Sequence, residues 1–146
     1  MSNINIFVYG SLREGFFNYN KYLDGKVIEA KPALLKGMHL YHMPYKGYPA
    51  ILPGDGKVLG EIISIKDYNS TLKAIDDMEG FISSDNPNNE YNKILLEVEH
   101  LNTKTKENCY VYFYNKDIDS IFSEKSIHIP DGDWKNYMIN TNKSHS

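Results

Sequence analysis

Only one stretch of this chain carries a sustained helical period, and that limits what the rest can become. Asp67 to Glu79 places Tyr68, Leu72, Ile75, Asp76 and Glu79 on one stripe, with Gly80 as the C-terminal stop. The other apolar segments read as extended. They are Ile4–Tyr9, Val27–Ala30 and Ala33–Met38 (interrupted by Pro32), Val58–Ile65, Asn92–Leu101 and Asn108–Tyr114. A lysine-rich turn at Asn102–Glu107 joins the last two. Met43–Gly56 is dense in proline and glycine and reads as a packed loop leading into a hairpin. Short helices are expected at Asn18–Leu23 and Ile118–Phe122, and the polar loop Ser83–Asn89 is long for a compact domain. Strands outnumber helices. The expected fold is therefore α+β, a mainly antiparallel sheet or small mixed β-barrel with a few packed helices. With neither repeat nor linker, the 146 residues read as one domain over 1–139 and a polar tail over 140–146.

Charge and composition exclude several classes of function. The net charge is −3 and no Lys/Arg cluster stands out, which argues against a nucleic-acid or anionic-membrane footprint. No apolar run reaches membrane-spanning length, so a cytoplasmic location is the default expectation. Cys109 is the sole cysteine, ruling out an intramolecular disulfide, and its strand-like setting suits a small buried thiol. The five histidines lack the converging carboxylate or thiol partners of a zinc site, so no metal is expected. Gly10-Ser11-Leu12 lacks the second glycine of a nucleophile elbow, and no phosphate-binding loop is present.

Two features point to chemistry. The first strand breaks at Gly10 into Ser11-Leu12-Arg13-Glu14-Gly15, and such a turn exposes backbone N–H groups that can hold a small oxygen-rich ligand. Arg13 is the one arginine against fifteen lysines. Its rigid fork of donors suits a carboxylate, though it also fits an ordinary surface charge at a turn. The second feature is Glu79. Its place on the apolar stripe predicts a partly buried carboxylate, and burial and the negative end of a helix both raise its pKa. Such a group exchanges protons near neutral pH. The plainer alternative is a carboxylate that reaches water, and Asp76, on the same stripe, is a rival. The aromatic strand Tyr110–Tyr114 alternates its faces, so it supplies core on one side and a pocket wall on the other, with Tyr114 a candidate substrate contact.

Tyr9-Gly10-Ser11-Leu12-Arg13, followed by Gly15 and Asn18, resembles the opening motif of the gamma-glutamylcyclotransferase-like family, which includes the gamma-glutamylamine cyclotransferases and AIG2-like proteins. Tyr48-Pro49-Ala50-Ile51, Val58-Leu59-Gly60-Glu61-Ile62, Ile75-Asp76-Asp77-Met78-Glu79-Gly80, Tyr91 and Gly132-Asp133-Trp134 are similar to its later motifs, in order, from Ile4 to roughly Tyr137. The resemblance implies a β-barrel with a cavity at the end of the first strand. It implies that the backbone of Tyr9–Leu12 lines the substrate pocket and that Glu79 is the acid/base. Tyr91 and Arg13 are further candidate contacts. The implied substrate is a small molecule carrying a γ-glutamyl group, cyclised to 5-oxoproline without a cofactor. Two departures bear on the substrate. Lys93 stands where relatives often have an arginine two places after the tyrosine, and the insert Ser83–Glu90 adjoins the base. A non-catalytic binding protein of the same fold, or an enzyme for a different γ-glutamyl-like substrate, remains an alternative; the leaving amine and the oligomeric state stay open.

Overall fold

The computed structural model describes residues 3–10 and 23–144. Its elements run β1 (Ile6–Val8), β2 (Val27–Met43), β3 (Tyr48–Ile65), α1 (Tyr68–Met78), β4 (Tyr91–His100), β5 (Lys106–Tyr114), a 3-10 turn (Lys116–Ile118), α2 (Phe122–Lys125), β6 (Ile127–Ile129) and α3 (Trp134–Ser144). The strands pair in the order β3-β1-β5-β4-β2, and β2 pairs back onto β3. Five strands thus close into a barrel, as expected. The β1–β5 pair is parallel and the other pairs are antiparallel, while β6 adds to β2 outside the ring.

The long β2–β3 hairpin corrects two expectations. Pro32 does not interrupt the first extended run: it lies within β2 opposite Glu61, and its carbonyl accepts from Leu101 N–H at 3.1 Å. The stretch Met43–Gly56 is not a packed loop. Beyond a short turn, with Gly47 at φ 81°, it is the first half of β3, with Pro49 opposite His42 and Pro53 opposite Met38. Among the described residues this half pairs with β2 alone, β1 meeting β3 at Glu61–Ile63, and a proline lacking an N–H is tolerated where no second strand needs its donor. Elements near the C-terminus also moved or went unforeseen. The helix expected at Ile118–Phe122 is split into the 3-10 turn and α2, and β6 and α3 carried no expectation. The helix expected at Asn18–Leu23 lies almost wholly outside the described residues.

Period-two alternation explains the core. Phe7 and Tyr9 face one cluster, with Leu35, Val58, Ile62, Val98, Cys109 and Val111; all five ring strands contribute, so this is the barrel interior. Ile6 and Val8 face a second cluster with Ile63, Ile65, Ile75 and Tyr112, the layer under α1. β1 is therefore buried on both faces. Cys109 is fully buried as expected, and burial pushes its thiol up to about 12.

The β2–β3 hairpin is fastened to the last helix through Gly132-Asp133-Trp134. The Gly132 carbonyl accepts from Leu59 N–H at 2.8 Å, and buried Trp134 donates from Nε1 to His42 Nδ1 at 3.1 Å. Gly132 has φ 72°, and a Cβ there would lie 2.0 Å from the Lys57 carbonyl oxygen. Gly132→Ala is therefore expected to cost about 2–4 kcal/mol, from left-handed strain plus a backbone clash. Its urea midpoint should fall well below wild type, and an unchanged midpoint would contradict this packing.

Candidate active site

The C-terminal ends of β1 and α1 meet at one cavity. β1 delivers Tyr9 and Gly10, and α1 delivers Met78 and Glu79. Tyr48 and Pro49 come from the start of β3, Glu90 and Tyr91 from the start of β4, and Phe7 and Tyr112 complete the lining among the described residues. The space amounts to about 220 Å³, room for a small molecule.

The floor depends on a close approach. A Cβ on Gly10 would lie 2.4 Å from Cγ and 2.9 Å from Cδ of Pro49, so only glycine lets the first strand end against that ring. Tyr91, buried, donates its hydroxyl to the Pro49 carbonyl, and Tyr9 donates to the Tyr112 carbonyl at 2.6 Å. Burial raises the hydroxyl pKa of Tyr9 and Tyr91 well above the ordinary tyrosine value. These phenols remain protonated, and they act as struts between strands and not as proton donors to a ligand.

Glu79 is placed by the way α1 stops. Its N–H closes the last turn on the Ile75 carbonyl at 2.9 Å; Gly80 then takes φ 68°, and Phe81 N–H returns to the Asp76 carbonyl at 2.9 Å. The chain leaves for the Phe81–Asn89 excursion and comes back to the same point. Glu90 N–H donates to the Gly80 carbonyl at 3.0 Å, and Tyr91 N–H to the Glu79 carbonyl at 3.2 Å. Asn89, fully buried, holds the excursion shut: its Oδ1 accepts from Ile82 N–H at 2.6 Å and its Nδ2 donates to the Ser83 carbonyl at 2.8 Å. The insert expected beside the base is thus a tied loop whose exit places Glu90 in the cavity wall.

The carboxyl of Glu79 is pushed up to about 8, first by burial and then by the neighbouring charges of Glu90 and Asp76. Glu79 keeps part of its surface accessible because it faces the cavity, and among the described residues no side chain donates a hydrogen bond to its carboxylate. A carboxyl with no donor among the described residues, in a mainly apolar pocket, favours holding its proton. Asp76, the rival on the same stripe, is occupied. Tyr112 donates its hydroxyl to Oδ1, and Lys93 Nζ reaches Oδ2 at 2.9 Å while lying over the Phe81 and Tyr110 rings at 5.0 and 4.8 Å. Asp76 is a buttress between α1, β4 and β5, and Lys93 is its clamp.

Of the residues singled out from sequence, Tyr9, Gly10, Glu79 and Tyr91 come together around the cavity. Ser11, Leu12 and Arg13 lie outside the described residues. Tyr114 is not in the lining. It stands behind Tyr91, ring centroids 5.3 Å apart, and donates its hydroxyl to Asp119 Oδ2 at 2.6 Å. Sequence reasoning missed Glu90 and Tyr48. Glu90 read as the end of a polar loop, although its position directly before Tyr91 was the available signal. Tyr48 and Pro49 stood in a noted motif, but in a stretch read as loop.

A family model described as gamma-glutamyl cyclotransferase, AIG2-like, matches residues 6–136. The chain is 30% identical over 142 residues to the gamma-L-glutamyl-butirosin B gamma-glutamyl cyclotransferase of Niallia circulans, covering 92% of this chain and 78% of that protein. It is 33% identical over 123 residues to AIG2-like protein C of Arabidopsis thaliana, covering 82% of this chain and 64% of that protein. The crystal structure of an uncharacterized protein from Pyrococcus horikoshii shares the fold with a TM-score of 0.66 at 21% identity, covering 99% of this chain and all of that one. Matched from its first strand to its last helix, this chain belongs to the gamma-glutamyl cyclotransferase, AIG2-like family.

Proposed function

We propose that the protein is a gamma-glutamyl cyclotransferase: it closes the γ-glutamyl group of a small amide or peptide to 5-oxoproline and releases an amine or amino acid. The observation that carries this reading is Glu79, a carboxyl poised at about 8 in a small cavity at the end of the first strand. A carboxylate raised this far is a stronger base than an ordinary one, which narrows the gap to the substrate's ammonium group.

The reaction is an intramolecular aminolysis. Glu79 accepts a proton from the substrate's α-ammonium; the freed amine nitrogen attacks the γ-carbonyl carbon, and the bond from that carbon to the leaving nitrogen breaks. The protons shed by the attacking nitrogen pass through Glu79 to the leaving nitrogen, so no water is consumed. Nucleophile and electrophile belong to one molecule, and the cavity's task is to hold the bent conformer, a large source of rate enhancement. Backbone N–H groups after Tyr9 are the expected site for the developing oxyanion or the substrate carboxylate. Arg13 is assigned to carboxylate recognition on the strength of its sequence position alone.

Activity as a general base requires the carboxylate form, so kcat/KM is expected to rise with pH through a midpoint near 8. Glu90→Gln removes one of the charges that raise Glu79 and should move that midpoint to lower pH. A pH–rate profile for both proteins checks this, and an upward or absent shift contradicts it. The function itself is tested by incubating the protein with γ-glutamyl amino acids and γ-glutamyl amines and identifying the product by mass. 5-oxoproline supports cyclotransfer; free glutamate indicates hydrolysis, and binding without product indicates a ligand-binding protein of this fold.

A further inference from the structure

Among the described residues, Glu90 has one oxygen engaged and one without a partner. Tyr48 donates its hydroxyl to Oε2 at 2.9 Å and Lys46 Nζ reaches the same atom at 3.1 Å, whereas Oε1 accepts nothing from any described residue. The side chain lines the cavity and keeps 30% of its surface accessible. Its backbone cannot drift: Glu90 N–H is held by Gly80 and its carbonyl accepts from Asn115 N–H at 2.9 Å. Beside it stand the rings of Tyr48 and Tyr91, centroids 6.3 Å apart, both facing the same space. Tyr48 already has a cation near its ring, with Lys46 Nζ 5.8 Å from the centroid. A fixed carboxylate oxygen without a donor among the described residues, in a wall that also holds two tyrosine rings, is the chemistry that receives an aliphatic ammonium.

We propose that Glu90 is a specificity-determining residue, which selects γ-glutamyl amides whose leaving group carries a second, positively charged nitrogen. This rests on the cyclotransferase reading for its substrate, with Glu79 serving the reacting end and Glu90 Oε1 the departing end. Lys46 and Tyr48 aim the carboxylate by holding its other oxygen.

The test compares two amides of equal length: the γ-glutamyl amide of diaminobutane, which ends in an ammonium, and that of pentylamine, which ends in a methyl. The wild type is expected to favour the charged amide in kcat/KM by about tenfold or more, the scale of one charge-assisted hydrogen bond. Glu90→Gln should erase the preference. The ratio is unaffected by any change in the titration of Glu79, because that acts on both substrates alike. Lys46→Met removes a competing cation and leaves the Tyr48 hydroxyl to hold Oε2, so it should keep or increase the preference, and a lost preference counts against the assignment. Wild type indifferent to the charge, or Glu90→Gln lowering both substrates equally, overturns the assignment. If neither amide yields 5-oxoproline, the cyclotransferase reading fails by itself. Calorimetric dissociation constants of the two amides for wild type and Glu90→Gln then give the same ratio and decide the role of Glu90.

Discussion

Glu79→Gln is expected to lower turnover by about 10²-fold or more while leaving the fold intact. Glutamine keeps the shape of the side chain and cannot accept the proton. Among the described residues no side chain donates to the carboxylate, and the backbone contacts of Glu79 to Ile75 and Tyr91 are unaffected by the change. Stability carries a second signature. The carboxyl is raised from 4.5 to about 8 in the folded protein, so the folded state holds the proton more tightly than the unfolded chain. Its stabilising contribution is complete below pH 4.5 and is lost as pH rises through about 8. Within that window the wild type should lose up to about 1.4 kcal/mol per pH unit from this group. Glu79→Gln should remove that slope, and denaturant midpoints of the two proteins across pH 5 to 8 read it directly. Equal turnover in both proteins would remove Glu79 from the chemistry.

Gly10→Ala is the second large effect, and it acts through the fold upon the site. One added methyl would need to occupy space 2.4 Å from Pro49 Cγ, and Pro49 is fixed in β3 opposite His42. A proline ring has little freedom to give way. Moving it displaces the carbonyl that anchors the Tyr91 hydroxyl, and with it the wall of the cavity. Overpacking of this kind costs about 1–3 kcal/mol in stability. The expected loss in kcat/KM is on the order of 10²-fold, because a shift near one ångström at a positioning wall is enough. Thermal unfolding and steady-state kinetics on the same preparation check both parts. Loss of stability with full activity would show that Pro49 and Tyr91 do not shape the substrate site.

The sequence was most legible where periodicity and motif agree. The stripe from Tyr68 to Glu79 announced α1 within one residue at each end, because an amphipathic surface helix must show its apolar face at helical spacing. The same stripe placed Glu79. β1 was legible from its apolar run, although its burial on both faces follows only from barrel closure. The first half of β3 was hidden by Pro49, Pro53, Gly54 and Gly56, residue types that read as turn until their register against β2 is known. α3 was missed because lysine, asparagine and threonine crowd its few apolar positions, yet Asp133 marks its start by accepting from Asn136 N–H at 3.0 Å. Trp134, Tyr137 and Met138 show the core-facing spacing. Tyr114 was misplaced for a different reason. A strand alternates faces, but which tyrosine meets the cavity depends on register, and it is Tyr112 that does so. Glu90 had one signal, its place directly before Tyr91, but it is the tied return of the Phe81–Asn89 excursion that brings it into the cavity that Glu79 lines.

The most direct measurement is the carbon-13 titration of the Glu79 side-chain carboxyl, assigned by difference against Glu79→Gln. A midpoint near 8, coinciding with the midpoint of kcat/KM, is the expected result. A carboxyl that titrates near the ordinary 4.5 while the rate still rises near 8 would contradict the account, because the group that governs the reaction would then be another.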